Sequence, residues 1–270
     1  MRSGQPERAP RTTRTVVKPA YRCSECGHDV GKWHGRCPEC QAWGTLLEAG
    51  PARVLLRRVP AGPVSTPARR IDQVSADAVS PQASGVAELD RVLGGGLTPG
   101  AVILLAGEPG VGKSTLLLAA AAQWASREQG PVLIVSGEES AAQIRLRADR
   151  MGALHPDIFL AAENDLAAVL GHVDQVGPRL LIVDSVQTIG TAEVEGNAGG
   201  VSQVRAVAAA LSAVAKERTM ACVLVGHVTK DGAIAGPRVL EHLVDVVLQF
   251  EGERHSRLRL VRAIKNRYGA

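Results

Sequence analysis

At 270 residues the chain has room for one full α/β domain and a small extra module, and its 45% hydrophobic content is ordinary for a globular protein. Glycines and charges interrupt every apolar run before it reaches membrane-spanning length, and the basic N-terminus (Arg2, Arg8, Arg11, Arg14, Lys18) has no apolar stretch behind it. These features exclude a membrane span and a secretory signal and place the chain in the cytoplasm, while 13 Lys/Arg against 7 Asp/Glu in residues 1–80, a surplus of +6 beside −2 for the remainder, suits a nucleic-acid partner.

In chain order, residues 1–20 are rich in Arg, Pro and Thr and lack apolar periodicity, which predicts a disordered basic segment. Residues 21–48 hold four of the five cysteines. Residues 49–65, with Pro51, Pro60, Gly62 and Pro63, read as a linker containing at most one short strand at Val54–Leu56. From residue 66 to the end the pattern alternates. Strands are predicted at 101–106, 132–135, 158–160, 180–183 and 221–225, with helices at 113–128, 141–151, 165–176 and 201–218 between them. Two final strands, at 244–250 and 257–264, read as an antiparallel pair. Strands alternating with helices predict a mainly parallel sheet covered on both faces.

Cys23, Cys26, Cys37 and Cys40 form C-x2-C-x10-C-x2-C, two knuckles that supply the four thiolates of a tetrahedral Zn²⁺ site. Disulfides do not suit a cytoplasmic chain, and a redox CxxC does not come as a pair. Four thiolates leave no open coordination position, so the zinc is structural. His28 and His34 lie in the loop as surface residues, and Trp33 and Trp43 are expected to pack against the knuckles. Cys222, alone in an apolar strand, reads as core.

GEPGVGKS, Gly107 to Ser114, lies between a predicted strand and a predicted helix and matches the phosphate loop G-x-x-x-x-G-K-[ST]. Gly107, Glu108, Pro109, Gly110, Val111, Gly112, Lys113, Ser114 and Thr115 are thus the expected ATP-binding residues. Backbone N–H groups wrap the phosphates, Lys113 reaches the β- and γ-phosphates, and Ser114 binds Mg²⁺. LLIVD ends in Asp184, a carboxylate too costly to bury without a task, assigned to the Mg²⁺ shell. Glu138 and Glu139 follow the strand at 132–135; either fits the base that activates water, with Glu138 preferred, and the alternative is that both cap the helix starting near Ser140. His227 ends a strand as a γ-phosphate sensor. The absence of an NKxD motif favours adenine.

Together with CSECG…KWHGRCPECQAW, the segments GVAELDRVLGGGLTPG, GEPGVGKSTLL, VSGEES, LLIVDSVQT, GHVTKDG and KNRYG resemble the bacterial RadA (Sms) family of DNA-repair ATPases over residues 21–269. The resemblance implies a RecA-like ATPase fold, a hexameric ring around single-stranded DNA, and ATP-driven branch migration of recombination intermediates alongside the RecA recombinase. It gives KNRYG, with Tyr268 for the usual Phe, a part in ATPase and helicase function. Lys265 and Arg267, two apart in an extended strand, would share a face and reach a neighbouring subunit's γ-phosphate. Family members continue into a domain resembling the Lon protease fold, whereas this sequence stops one residue after KNRYG. The loops 185–200 and 228–237 would face DNA, with Lys230 as a phosphate contact and Arg205 and Arg238 as weaker ones. Two other classes fit the motifs: a KaiC-type ATPase acting on protein, and a zinc-ribbon adaptor that uses ATP as a switch.

Overall fold

The computed structural model describes residues 21–48, 64, 67–75, 79–227, 240–252 and 258–269. The segment 1–20, nearly all of 49–65, and the loop holding Lys230 and Arg238 lie outside the described residues. The chain divides into two compact units between Ala68 and Arg69.

In the first unit, β1 (Tyr21–Cys23) pairs antiparallel with both β2 (Asp29–Val30) and β3 (Leu46–Glu48). Each knuckle closes on itself: Gly27 N donates to Cys23 O at 2.9 Å and Gln41 N to Cys37 O at 3.0 Å. Cys23, Cys37 and Leu46 form the core, with Tyr21 and Val30 packed against it. The expectation that both indoles pack against the knuckles is corrected: Trp33 is 61% exposed and Trp43 75%. Three short strands around a cysteine cluster leave no volume for an indole, and Trp43 instead lies over Gly35 beside the Arg36 guanidinium, 5.9 Å from its ring centre.

The second unit is built on a seven-stranded sheet. Its strands are β4 (Val102–Gly107), β5 (Val132–Ser136), β6 (Ile158–Ala162), β7 (Leu180–Asp184), β8 (Ala221–His227), β9 (Val246–Gly252) and β10 (Arg259–Asn266), in the order β10-β9-β4-β8-β7-β5-β6. All neighbours are parallel except β9 and β10, the antiparallel pair expected from the sequence. The central strands are continuous apolar runs because both faces are covered. Successive residues of β4 alternate between two cores: Val102, Leu104 and Ala106 meet α4 (Leu166–Val176) and α5 (Val201–Glu217). Ile103 and Leu105 meet α1 (Ala87–Leu93), α2 (Lys113–Ser126) and α3 (Ala141–Met151). Full burial of each such leucine stabilises the fold by about 1.5–3 kcal/mol. Cys222 is fully buried, as expected of a core residue. Among the described residues no helix is long and apolar enough to cross a membrane.

The chain order of the parallel strands brings the ends of β4, β5, β7 and β8 to one edge. Strand β4 is central, and α2 carries the chain past β8 and β7 to β5, so the loops after these strands open together at the carboxyl edge of the sheet. Local caps fix where the helices begin there. Ser140 accepts from Gln143 N, and the Gln143 side chain accepts from Ser140 N at 2.9 Å, a capping box that starts α3. That role therefore belongs to Ser140, not to either preceding glutamate.

Candidate nucleotide site and metal centre

The four cysteine sulfurs of the first unit lie within 4.8 Å of one another. Cys23 and Cys40 Sγ are 3.6 Å apart and Cys26 and Cys37 Sγ 3.7 Å. A tetrahedron of Zn–S bonds near 2.3 Å has edges of about 3.8 Å, so the spacing fits Zn²⁺. The thiols resist ionising together. A backbone N–H at Ala42 favours the Cys40 thiolate, yet burial and the three neighbouring sulfurs push its pKa up to about 12. Hydrogen bonding with Thr45, by contrast, leads Cys23 down to about 6. A divalent cation at the centre relieves this mutual repulsion.

In the second unit, the phosphate loop runs from the end of β4 into the first turn of α2. Gly110 and Gly112 have φ of 79° and 108°, the left-handed region that lets a loop turn its N–H groups inward without a Cβ penalty. Lys113 is buried and its Nζ donates to Gly107 O and Glu108 O, both at 2.8 Å, folding the side chain across the loop. Burial draws its ammonium below the usual lysine range against the pull of Asp184 and Glu138.

Three strand ends complete the site. Asp184 ends β7, and its Oδ2 accepts from Ser114 Oγ at 2.5 Å. Burial raises the Asp184 carboxyl, the largest of the forces on it. A hydroxyl and a carboxylate side by side are hard oxygen donors of the kind Mg²⁺ takes. Glu138 Oε1 accepts from Ser185 Oγ at 2.6 Å and faces His227 Nε2 at 2.8 Å. Burial alone would raise Glu138, but these hydrogen bonds outweigh it and hold the carboxyl below its ordinary range. The other ring nitrogen of His227 lies 3.5 Å from Lys113 Nζ, so the histidine bridges the lysine and Glu138. Glu139 turns aside to an ion pair with Arg147. Lys113, Ser114, Glu138, Asp184 and His227 line one cavity of about 310 Å³ with the phosphate loop, and the Glu139–Arg147 pair forms another part of its wall.

Sequence reasoning missed a second cavity of about 560 Å³ beside the phosphate loop. Val86 and Leu89 of the α1 region, Leu116, Phe250 and Val261 line it, with Thr115 and Arg259 at hand. Only the GVAELDRVLGGGL segment hinted at it, and α1 is too short for its periodicity to show.

The KNRYG cations lie away from the phosphate loop, and Lys265 and Arg267 both turn to the 241–245 segment. A register shift falls between Ala263 and Lys265, ahead of the pair, and β10 ends at Asn266. Lys265 Nζ donates to Glu241 O at 2.6 Å and Val244 O at 2.8 Å. Arg267 Nη1 pairs at 3.1 Å with buried Asp245, whose Oδ2 accepts from Val102 N at 3.0 Å. Arg267 is thus anchored at the start of β4, and the phosphate loop leaves its far end, roughly 17 Å away by strand rise. The Arg267 side chain stays 53% exposed. Arg205 is exposed on α5. In the 185–200 loop Val186 and Ile189 are fully buried, and Gln203 binds the backbone at Thr191, Val194 and Gly196. Its exposed charges are Glu193 and Glu195.

A RecA-like α/β sheet with a phosphate loop, a strand-end aspartate and a four-cysteine ribbon define the class: a P-loop ATPase domain with a zinc-ribbon module. The family described as AAA domain matches residues 66–233, and the rubredoxin metal binding domain matches residues 21–48. The chain belongs to the AAA domain family. It is 58% identical over 254 residues to the DNA repair protein RadA of Mycobacterium tuberculosis, covering 93% of this chain and 52% of that protein. It is 55% identical to the protein of that name from Mycolicibacterium smegmatis and 46% to one from Streptococcus pyogenes, in each case over 94% of this chain and 56% of the relative. The chain spans about half the length of the curated relatives it matches. The RadA resemblance read from the motifs is borne out by these relatives.

Proposed function

We propose that the chain is the motor portion of a DNA-dependent ATPase that processes branched recombination intermediates in DNA repair. The observation that carries the reading is the convergence of Lys113, Ser114, Glu138, Asp184 and His227 on one cavity at the carboxyl edge of the sheet. In this reading the loop from Gly107 to Thr115 binds the ATP phosphates, Ser114 and Asp184 hold Mg²⁺, and Glu138 takes the proton of the attacking water. His227 senses the γ-phosphate. The cavity floored by Leu116, Phe250 and Val261 receives adenine. When bound, Mg²⁺ neutralises charge developing on the phosphates.

The relatives' names, which refer to DNA repair, and the basic surplus of residues 1–80 support a DNA partner. Arg205 is an exposed cation for its phosphates, Lys230 and Arg238 are further phosphate contacts in this reading, and the exposed Glu193 and Glu195 make the 185–200 loop a poor phosphate contact. A hexameric ring around single-stranded DNA, helicase action, partnership with the RecA recombinase and a cytoplasmic site complete the proposal.

Within that ring Arg267 serves a neighbouring subunit, because its own nucleotide lies at the far end of β4. Lys265 positions the 241–245 segment beneath it. Protomers carrying Lys113→Ala have a dead phosphate loop, and those carrying Arg267→Ala lack the finger. Each alone is expected to lose ATPase activity by roughly 10³-fold. Mixed rings should regain a measurable part of it; rings shown to be mixed that stay inactive contradict action in trans.

A further inference from the structure

We infer that Ser185 is the positioning residue that aims Glu138 at the attacking water, an inference that rests on the ATPase reading above. Ser185 is fully buried immediately after Asp184, and its single hydroxyl proton is spent on Glu138 Oε1 at 2.6 Å. Such an O–H···O⁻ bond is charge-assisted and directional. The serine itself cannot drift. Its carbonyl accepts from Thr188 N at 3.1 Å and Thr188 Oγ1 at 2.7 Å, and Val186 N ties the turn to Val225 O of β8 at 3.0 Å.

The glutamate side is fixed as well. Ser136 Oγ accepts from Glu138 N at 3.2 Å and Glu139 N at 3.0 Å, and Gly137 N donates to Asp184 O at 3.2 Å. A Cβ on Gly137 would stand 2.3 Å from Thr188 Oγ1, so the lack of a side chain there lets the two turns interlock. His227 shares the same carboxylate oxygen but is partly exposed at the end of β8, and it is the member of the pair that a γ-phosphate can draw away. Ser185 is then the contact that keeps the carboxylate aimed throughout the cycle. The hydroxyl binds neither phosphate nor water in this role; it acts through Glu138 alone.

The test is a double-mutant cycle on the whole chain, with steady-state ATPase, fluorescent-ATP binding and thermal unfolding measured on each variant. Ser185→Ala removes only the oxygen. It is expected to lower kcat about 10- to 100-fold, as the loss of one hydrogen bond to a charged group does. KM, ATP affinity and unfolding midpoint should stay close to those of the parent. In the Glu138→Gln background the same change should cost nothing further, because the group it serves is already gone. An unchanged kcat in Ser185→Ala, or a second full loss in the Glu138→Gln background, overturns the inference. If Ser185→Ala fails to fold, Ser185→Thr, which keeps the hydroxyl, and Ser185→Cys, which lacks a good donor, take its place; equal kcat in these two overturns it as well. Full turnover in Glu138→Gln alone would instead defeat the underlying reading of the base, whatever Ser185→Ala does.

Discussion

Glu138→Gln is expected to bind ATP as tightly as the parent chain and to hydrolyse it about 100-fold more slowly or worse, the usual cost of losing a general base. Glutamine keeps the size of the side chain and an oxygen that accepts from Ser185 and His227, so the site stays assembled. What disappears is the basicity that takes a proton from water. Lys113→Ala should differ in kind, because Lys113 organises the loop through Gly107 and Glu108 and its loss weakens nucleotide binding itself. Glu139→Gln is the control. Its carboxylate is already occupied by Arg147, so turnover should change little. Equilibrium binding and single-turnover hydrolysis separate the three variants, and a larger loss in Glu139→Gln than in Glu138→Gln would reverse the assignment.

Cys37→Ser is expected to release zinc and unfold residues 21–48 while the second unit still binds ATP. Cys37 is fully buried, and the core it shares with Cys23 and Leu46 is too small to fold the ribbon unaided. Structural zinc supplies on the order of 10 kcal/mol or more to such modules, far more than three buried side chains can. The second unit owes nothing to this site, since its two cores are built on its own seven strands. Metal analysis should show one zinc per parent chain and none in the variant, and chelation of the parent should reproduce the variant's circular dichroism. A parent chain without zinc would defeat the assignment.

The strands that form the sheet's centre were legible because a parallel strand covered on both faces must be apolar between its ends, as VILLA, VLIV and LLIV are. Asp184 stood out for the same reason: a carboxylate after four apolar residues has no place in a core. Helix α1 was not legible, since Leu89 and Leu93 give only one repeat of a helical period, and with it went the cavity beside the phosphate loop. Reasoning from size alone misplaced Trp33 and Trp43, because the cysteine cluster takes the centre of the ribbon. The partners of Lys265 and Arg267 in the 241–245 segment were not legible, because only the fold brings that segment beside the end of β10. Ser185 looked like a loop residue after Asp184. Its partner lies 47 positions earlier, and only the pairing of β5 with β7 brings the two together.

The most direct measurement is the rate of ATP turnover by the whole chain with and without single-stranded DNA, with Glu138→Gln as the blank. Turnover should rise when DNA is added and the gain should shrink as salt rises, because phosphate contacts release counterions that salt competes back. A parent rate above the blank that is the same with and without DNA at low salt would contradict a DNA-dependent motor and leave an ATPase that answers to another partner.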